Sequence, residues 1–110
     1  MLFYEFYVGD KEYKLRLNTR NIVSLEKQLG MNPLSIFGDG STIPTVSVMV
    51  GILHSSLQQY QNNISMNDAY DIFDKWLENG NSITDFIPII LEIYKVSGLI
   101  GNEVEDTEKN

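Results

Sequence analysis

The sequence predicts a mainly helical α+β domain: an N-terminal β-hairpin packed on about four α-helices, with a disordered acidic C-terminal tail. Three observations lead there. Residues 1–17 hold two short runs that favour strand, placed around Gly9-Asp10. The segments that follow repeat apolar residues three and four apart, and most are bracketed by a cap residue and a glycine. The chain has 110 residues, the size of one domain with one core. We place that domain at residues 1–101 and the tail at residues 102–110.

Each element has its own warrant. Leu2 to Val8 is aromatic and β-branched, which suits a pleated, half-buried surface. Glu12 to Leu17 sets Tyr13, Leu15 and Leu17 against Glu12, Lys14 and Arg16, one face for a core and one for water. Gly9 supplies the positive φ of a tight turn between them. An isolated hairpin is marginal, so it must lie on helices. Asn18 or Thr19 caps a helix whose inner positions are Ile22, Leu25 and Leu29, ended by Gly30. Asn32-Pro33 opens a short turn through Leu34, Ile36 and Phe37.

The next helix is expected from Pro44 to about Tyr60 or Gln61. Its main stripe is Val46, Val50, Leu53, Leu57 and Tyr60, with Val48, Met49 and Ile52 elsewhere on the wheel. Val46, Val48, Val50 and Ile52 also alternate, so a buried strand is the alternative. Ser65 caps the third long helix with Asp68 at N3, and Ala69, Phe73, Trp76 and Leu77 face inward. Ser82 repeats the cap with Asp85. The last helix carries Ile87, Ile90, Leu91 and Tyr94 on one face and Ile89, Ile93 and Val96 on another. Pro88 requires that this helix either starts near Asp85, with Pro88 in its first turn, or bends there.

Composition narrows the chemistry. There is no cysteine, which excludes disulfides, thiolate metal sites and cysteine nucleophiles. One histidine leaves little scope for zinc or His-based catalysis. A formal charge of −7 with no local basic patch argues against nucleic acid and against anionic membrane surfaces. No stretch is long and apolar enough to span a bilayer. The first ten residues lack the features of a signal peptide, so an intracellular location is expected.

His54 has no serine and acid partner readable from sequence, and a partly buried histidine bonded to backbone or serine explains it better than a catalytic base. Asp68, Asp71 and Asp74 recur every third position on a helix, whereas calcium loops need alternate ligands in an irregular loop. They read as a solvated face. Gly38-Asp39-Gly40-Ser41-Thr42 has no lysine and follows no buried strand, unlike a phosphate loop. No catalytic, cofactor or metal site is expected, and the chain reads as non-enzymatic.

The apolar excess of the second and fourth long helices has two readings. Both helices are central, or part of their surface meets another chain. The second reading nominates Val48, Ile52, Ile89 and Ile93 as a self-assembly or partner surface. Charge is divided along the chain. Residues 1–37 carry Lys11, Lys14, Arg16, Arg20 and Lys27 against four acids, while residues 38–101 carry Lys75 and Lys95 against seven. Opposed ends suit head-to-tail contact between copies.

Three stretches taken together have a familiar order: FYEFYVGDKEYKLRLNTRNIVSLEKQLGMNPLSIF, then ILHSSLQQYQNNISMNDAYDIFDKWLENGNSITDFIPIILEIYKVSGLIG, then a short acidic tail. In this order and spacing the chain resembles the tail assembly chaperones of long-tailed, non-contractile bacteriophages and prophages of Gram-positive bacteria, over roughly residues 3–101. Pro88 departs from that pattern. The resemblance implies a non-enzymatic protein in the host cytoplasm, absent from the mature virion. It would self-assemble and bind the tape measure protein during tail morphogenesis. A longer form, made by a −1 frameshift, would recruit the tail tube protein. Glu108-Lys109-Asn110 can be written GAA-AAA-AAC, which contains a slippery heptamer; ordinary lysine and asparagine usage in an AT-rich genome explains the same residues. The alternative function is a structural tail-completion or connector protein of the virion.

Overall fold

Gly9 has φ +64° and opens a two-residue loop, so Val8 closes on Lys11 and the register of the hairpin is fixed. In the computed structural model, which describes residues 2–38, 40 and 42–101, β1 (Tyr4–Val8) and β2 (Lys11–Leu15) form a two-stranded antiparallel sheet. Both strands are shorter than the sequence reading, because pairing stops at Tyr4 opposite Leu15. Phe6, Val8 and Leu15 point inward, as does Leu17 beyond the strand, while Glu5, Tyr7, Glu12 and Lys14 face water.

Four helices follow: α1 (Thr19–Leu29), α2 (Val46–Leu57), α3 (Met66–Glu78) and α4 (Phe86–Ser97). A 3-10 helix, Pro33–Phe37, sits between α1 and α2, and a shorter one, Ile83–Asp85, leads into α4. The expected caps are present. Asn18 accepts from the Asn21 N–H and Asn32 from the Leu34 N–H. Ser65 and Asp68 form a reciprocal capping box. Gly30 and Gly98 end α1 and α4 in the left-handed region. Pro88 lies in the first turn of α4, where no intrahelical partner is needed for the N–H it lacks.

The centre of the molecule is α2. Packed by α1, α3, α4 and β2, it is buried all round from Met49 to Leu57 except at half-buried His54. Gly51 permits the α1 approach: a Cβ there would lie 3.1 Å from the Gln28 side chain. The strand alternative for residues 46–52 is thereby overturned. The helix is also shorter than expected. Thr45 caps it, Pro44 lies outside, and Tyr60 falls beyond its end.

Two of the four nominated surface residues are corrected. Ile52 and Ile93 are fully buried. Ile52 is enclosed because α2 is central. Ile93 belongs to a single stripe of α4, Phe86-Ile90-Ile93-Tyr94, rather than to a second face. Counting Phe86 as the first member of that stripe merges the two faces into one. Val48 and Ile89 are half-buried at its margins and at the start of α2.

The second concentration of core is aromatic. Phe6 of β1, Phe73 and Trp76 of α3, and Phe86 of α4 meet with ring centroids 5.3–6.1 Å apart, mostly edge to face. This cluster carries the hairpin on α3 and α4. No helix among the described residues is long and apolar enough to cross a membrane. The expected acidic tail, residues 102–110, and the slip-site residues within it lie outside the described residues.

Candidate functional site

The connection between α1 and α2 is started and stopped by caps; it buries Pro33, Ile36 and Pro44 and leaves Met31, Leu34 and Ile43 exposed. Gly30 ends α1. Asn32 then caps the 3-10 helix with Pro33 at its first position, and Thr45 accepts from the Val48 N–H to start α2. One long-range bond fixes this corner: the Tyr94 hydroxyl of α4 donates to the Pro33 carbonyl at 2.9 Å, and both groups are buried. Burial pushes the Tyr94 phenol well above its ordinary pKa, so it stays a donor at any working pH.

Between the 3-10 helix and the first turn of α2 lies a groove of about 290 Å³. Its apolar lining is Met31, Ile36, Ile43, Pro44 and Val48, with Ser35, Thr42 and Thr45 at its polar edge. Ile43 is 54% exposed and Met31 44%. Leu34 and Val46, from the same two segments, are exposed as well. The geometry accepts small apolar side chains from another surface and offers no titratable group to react with them.

A second, larger cleft of about 480 Å³ runs between the hairpin and α3. It is lined by Lys11, Tyr13, Asn62, Asn63, Ile64, Asp68, Asp71, Ile72 and Lys75. Its two cations and two acids offset each other. Asp68 is already committed to the Ser65 N–H, and the bonds from Ser65 hold its carboxyl below the usual range. Size alone favours this cleft. The mixed charge and the committed acid favour the smaller groove as a place for a partner.

Of the nominated residues, the structure brings only Val48 to the groove. Ile89 lies against the core elsewhere, and Ile52 and Ile93 are inside. His54 is half-buried with Nδ1 enclosed and without a hydrogen-bond partner, so the expected backbone or serine partner is not present at that atom. Asp71 and Asp74 are exposed with Asp68 on the outer side of α3. Among the described residues no three His, Asp or Glu side chains cluster closely enough to hold a metal ion. Sequence reasoning missed Met31, Ile43 and Pro44. Their signal was apolar residues outside any periodic segment, next to a helix stop and a helix cap.

These features define a small helical α+β domain whose distinctive surface is an apolar groove at a capped corner. The chain belongs to the family described as "Family of unknown function (DUF6096)", whose sequence pattern matches residues 4–110. No curated protein and no solved structure matches the chain.

Proposed function

We propose that the chain is a phage tail assembly chaperone: it self-assembles in the host cytoplasm and binds the tape measure protein before the tail tube polymerises, without catalysing a reaction. The observation that supports this best is the groove of Met31, Ile36, Ile43, Pro44 and Val48. A long helix with an apolar stripe is recognised by inserting side chains at helical spacing into such a groove. A net charge of −7 would help to keep a many-copy coat in solution. The resemblance in the order of hairpin, "LEKQLG" helix end and "DIFDKWLENG" helix supplies the identity of the helix. In this reading a longer form would share the domain and recruit the tail tube protein.

Co-expression tests the reading. In this reading a long helical reading frame lies beside the gene; its product should be insoluble alone and soluble with the chain, and finished particles should lack the chain. A tape measure protein that stays insoluble in its presence overturns the proposal. Stoichiometric recovery of the chain in finished particles would point instead to a tail-completion or connector protein.

A further inference from the structure

The two edges of the hairpin are finished differently. On β2, the Lys14 N–H donates to Gln61 Oε1 at 2.8 Å and the Gln61 amide donates back to the Lys14 carbonyl at 3.0 Å. One side chain thus replaces a neighbouring strand. The Arg16 N–H, next along that edge, donates to the Ser56 carbonyl at 2.9 Å. Outward-facing groups on Lys14 mean that its cross-strand partner Glu5 also turns its N–H and C=O outward, to the other side. Tyr7, two residues on, does the same. Among the described residues no side chain or backbone group bonds to the main chain of Glu5 or Tyr7. The β1 edge has no proline and no bulge, and one charged residue, Glu5. Open edges of this kind pair with other strands unless blocked.

We infer that β1 pairs antiparallel with β1 of a second copy, about a two-fold axis at Phe6, joining two hairpins into a four-stranded sheet. Register decides the partner. With the axis at Phe6, Glu5 of each copy stands opposite Tyr7 of the other, and both are residues with outward N–H and C=O groups. Four main-chain hydrogen bonds form, and no like charges meet. The Tyr7 hydroxyl, which already donates to its own Glu5 at 3.2 Å, has a second carboxylate beside it. Centring the pair on Glu5 puts two carboxylates face to face, which is unfavourable. Centring it on Tyr7 runs Glu5 against Gly9, whose φ of +64° belongs to the turn and not to a strand. Of these three registers, only the one centred on Phe6 is self-complementary. This names a contact for the self-association in the reading above and rests on that reading only for self-association itself; the tape measure groove lies on other residues.

The chain has no native cysteine, so cross-linking reads the register directly. Glu5→Cys and Tyr7→Cys chains are oxidised separately and as an equimolar mixture. In the inferred sheet, residues 5 and 7 of opposite copies are a hydrogen-bonded pair with Cα atoms about 5.5 Å apart, within disulfide span. Like positions are diagonal, about 7–8 Å apart, beyond it. The mixture should give mainly the mixed disulfide, and each variant alone little. Sedimentation adds a charge test at an exposed position: Tyr7→Glu should weaken dimerisation roughly tenfold by facing two carboxylate pairs, while Tyr7→Lys retains it. Equal cross-linking of a single variant, or none in the mixture, overturns the edge contact. If the wild type still sediments as an oligomer then, self-assembly survives by another face; a monomer at millimolar concentration removes self-assembly as well.

Discussion

The aromatic side of the molecule and the α1–α2 corner use similar residues to opposite ends. Phe6, Phe73, Trp76 and Phe86 come from three elements and close on one another until almost nothing is exposed. Met31, Ile43 and Val46 come from segments held in place by caps, and they stay at the surface. The difference is in what can reach them. β1, α3 and α4 each offer a face to the aromatic cluster. The corner lies where the chain turns from α1 into α2 through the 3-10 helix, and α4 reaches it through Tyr94 at Pro33. Apolar content alone therefore does not separate core from interface; the number of elements converging on a residue does.

Substitutions can sharpen that contrast. The largest effect belongs to Ile52→Glu and Ile93→Glu, which place an unpaired carboxylate in the core. Burying such a charge costs several kcal/mol, a large part of the roughly 5–15 kcal/mol of a small domain. Both should be unfolded by circular dichroism, and a folded, merely monomeric Ile52→Glu would show that α2 is not central. Trp76→Ala comes next, at about 3–5 kcal/mol, read by urea titration. The native fluorescence of Trp76 should be that of an enclosed indole.

A smaller effect tests the link between the two regions. Tyr94→Phe removes the hydroxyl that donates to the Pro33 carbonyl, a loss of about 0.5–1.5 kcal/mol, since that carbonyl also begins the 3-10 helix. The groove should loosen with it, seen as faster amide exchange at residues 34–37.

The smallest is electrostatic. The Asp68 carboxyl titrates below its ordinary value in the folded state because it accepts from Ser65. Its contribution to stability is therefore present above the unfolded pKa and is lost as pH falls through the lower, folded one. Asp68→Asn should lower the melting temperature at neutral pH and lower it by less at acid pH, once the wild-type carboxyl has taken up its proton. An equal loss at both values would assign the effect to the cap hydrogen bond rather than to charge.

Local chemistry was legible in the sequence. Gly9-Asp10 set the hairpin, and Asn18, Asn32 and Ser65 set the starts of three elements, because a cap or a turn acts within four residues. Trp76 and Phe73 were legible as core because α3 has one apolar stripe against a charged face. The contacts that close the fold were not. Gln61 finishing the edge at Lys14, and Tyr94 reaching Pro33, join residues 47 and 61 positions apart, and no period signals them. The α4 stripe was split because Phe86, its first member, was not counted among the apolar positions of that helix, although a start near Asp85 was expected. Only Val48 of the nominated surface reached the groove, because a second apolar face on a helix looks the same whether protein or partner covers it.

The proposed partner site rests on the open corner being a surface in use. Ile43→Glu places a charge at an exposed residue of the groove and Leu91→Glu places one at an exposed residue of α4 away from it. Both should melt within a few degrees of the wild type. The direct measurement is binding of each, and of the wild type, to an apolar-striped helical segment of the tape measure protein by calorimetry. The account predicts affinity for the wild type and Leu91→Glu and its loss in Ile43→Glu. Equal binding by all three folded proteins, or none by the wild type, would contradict it.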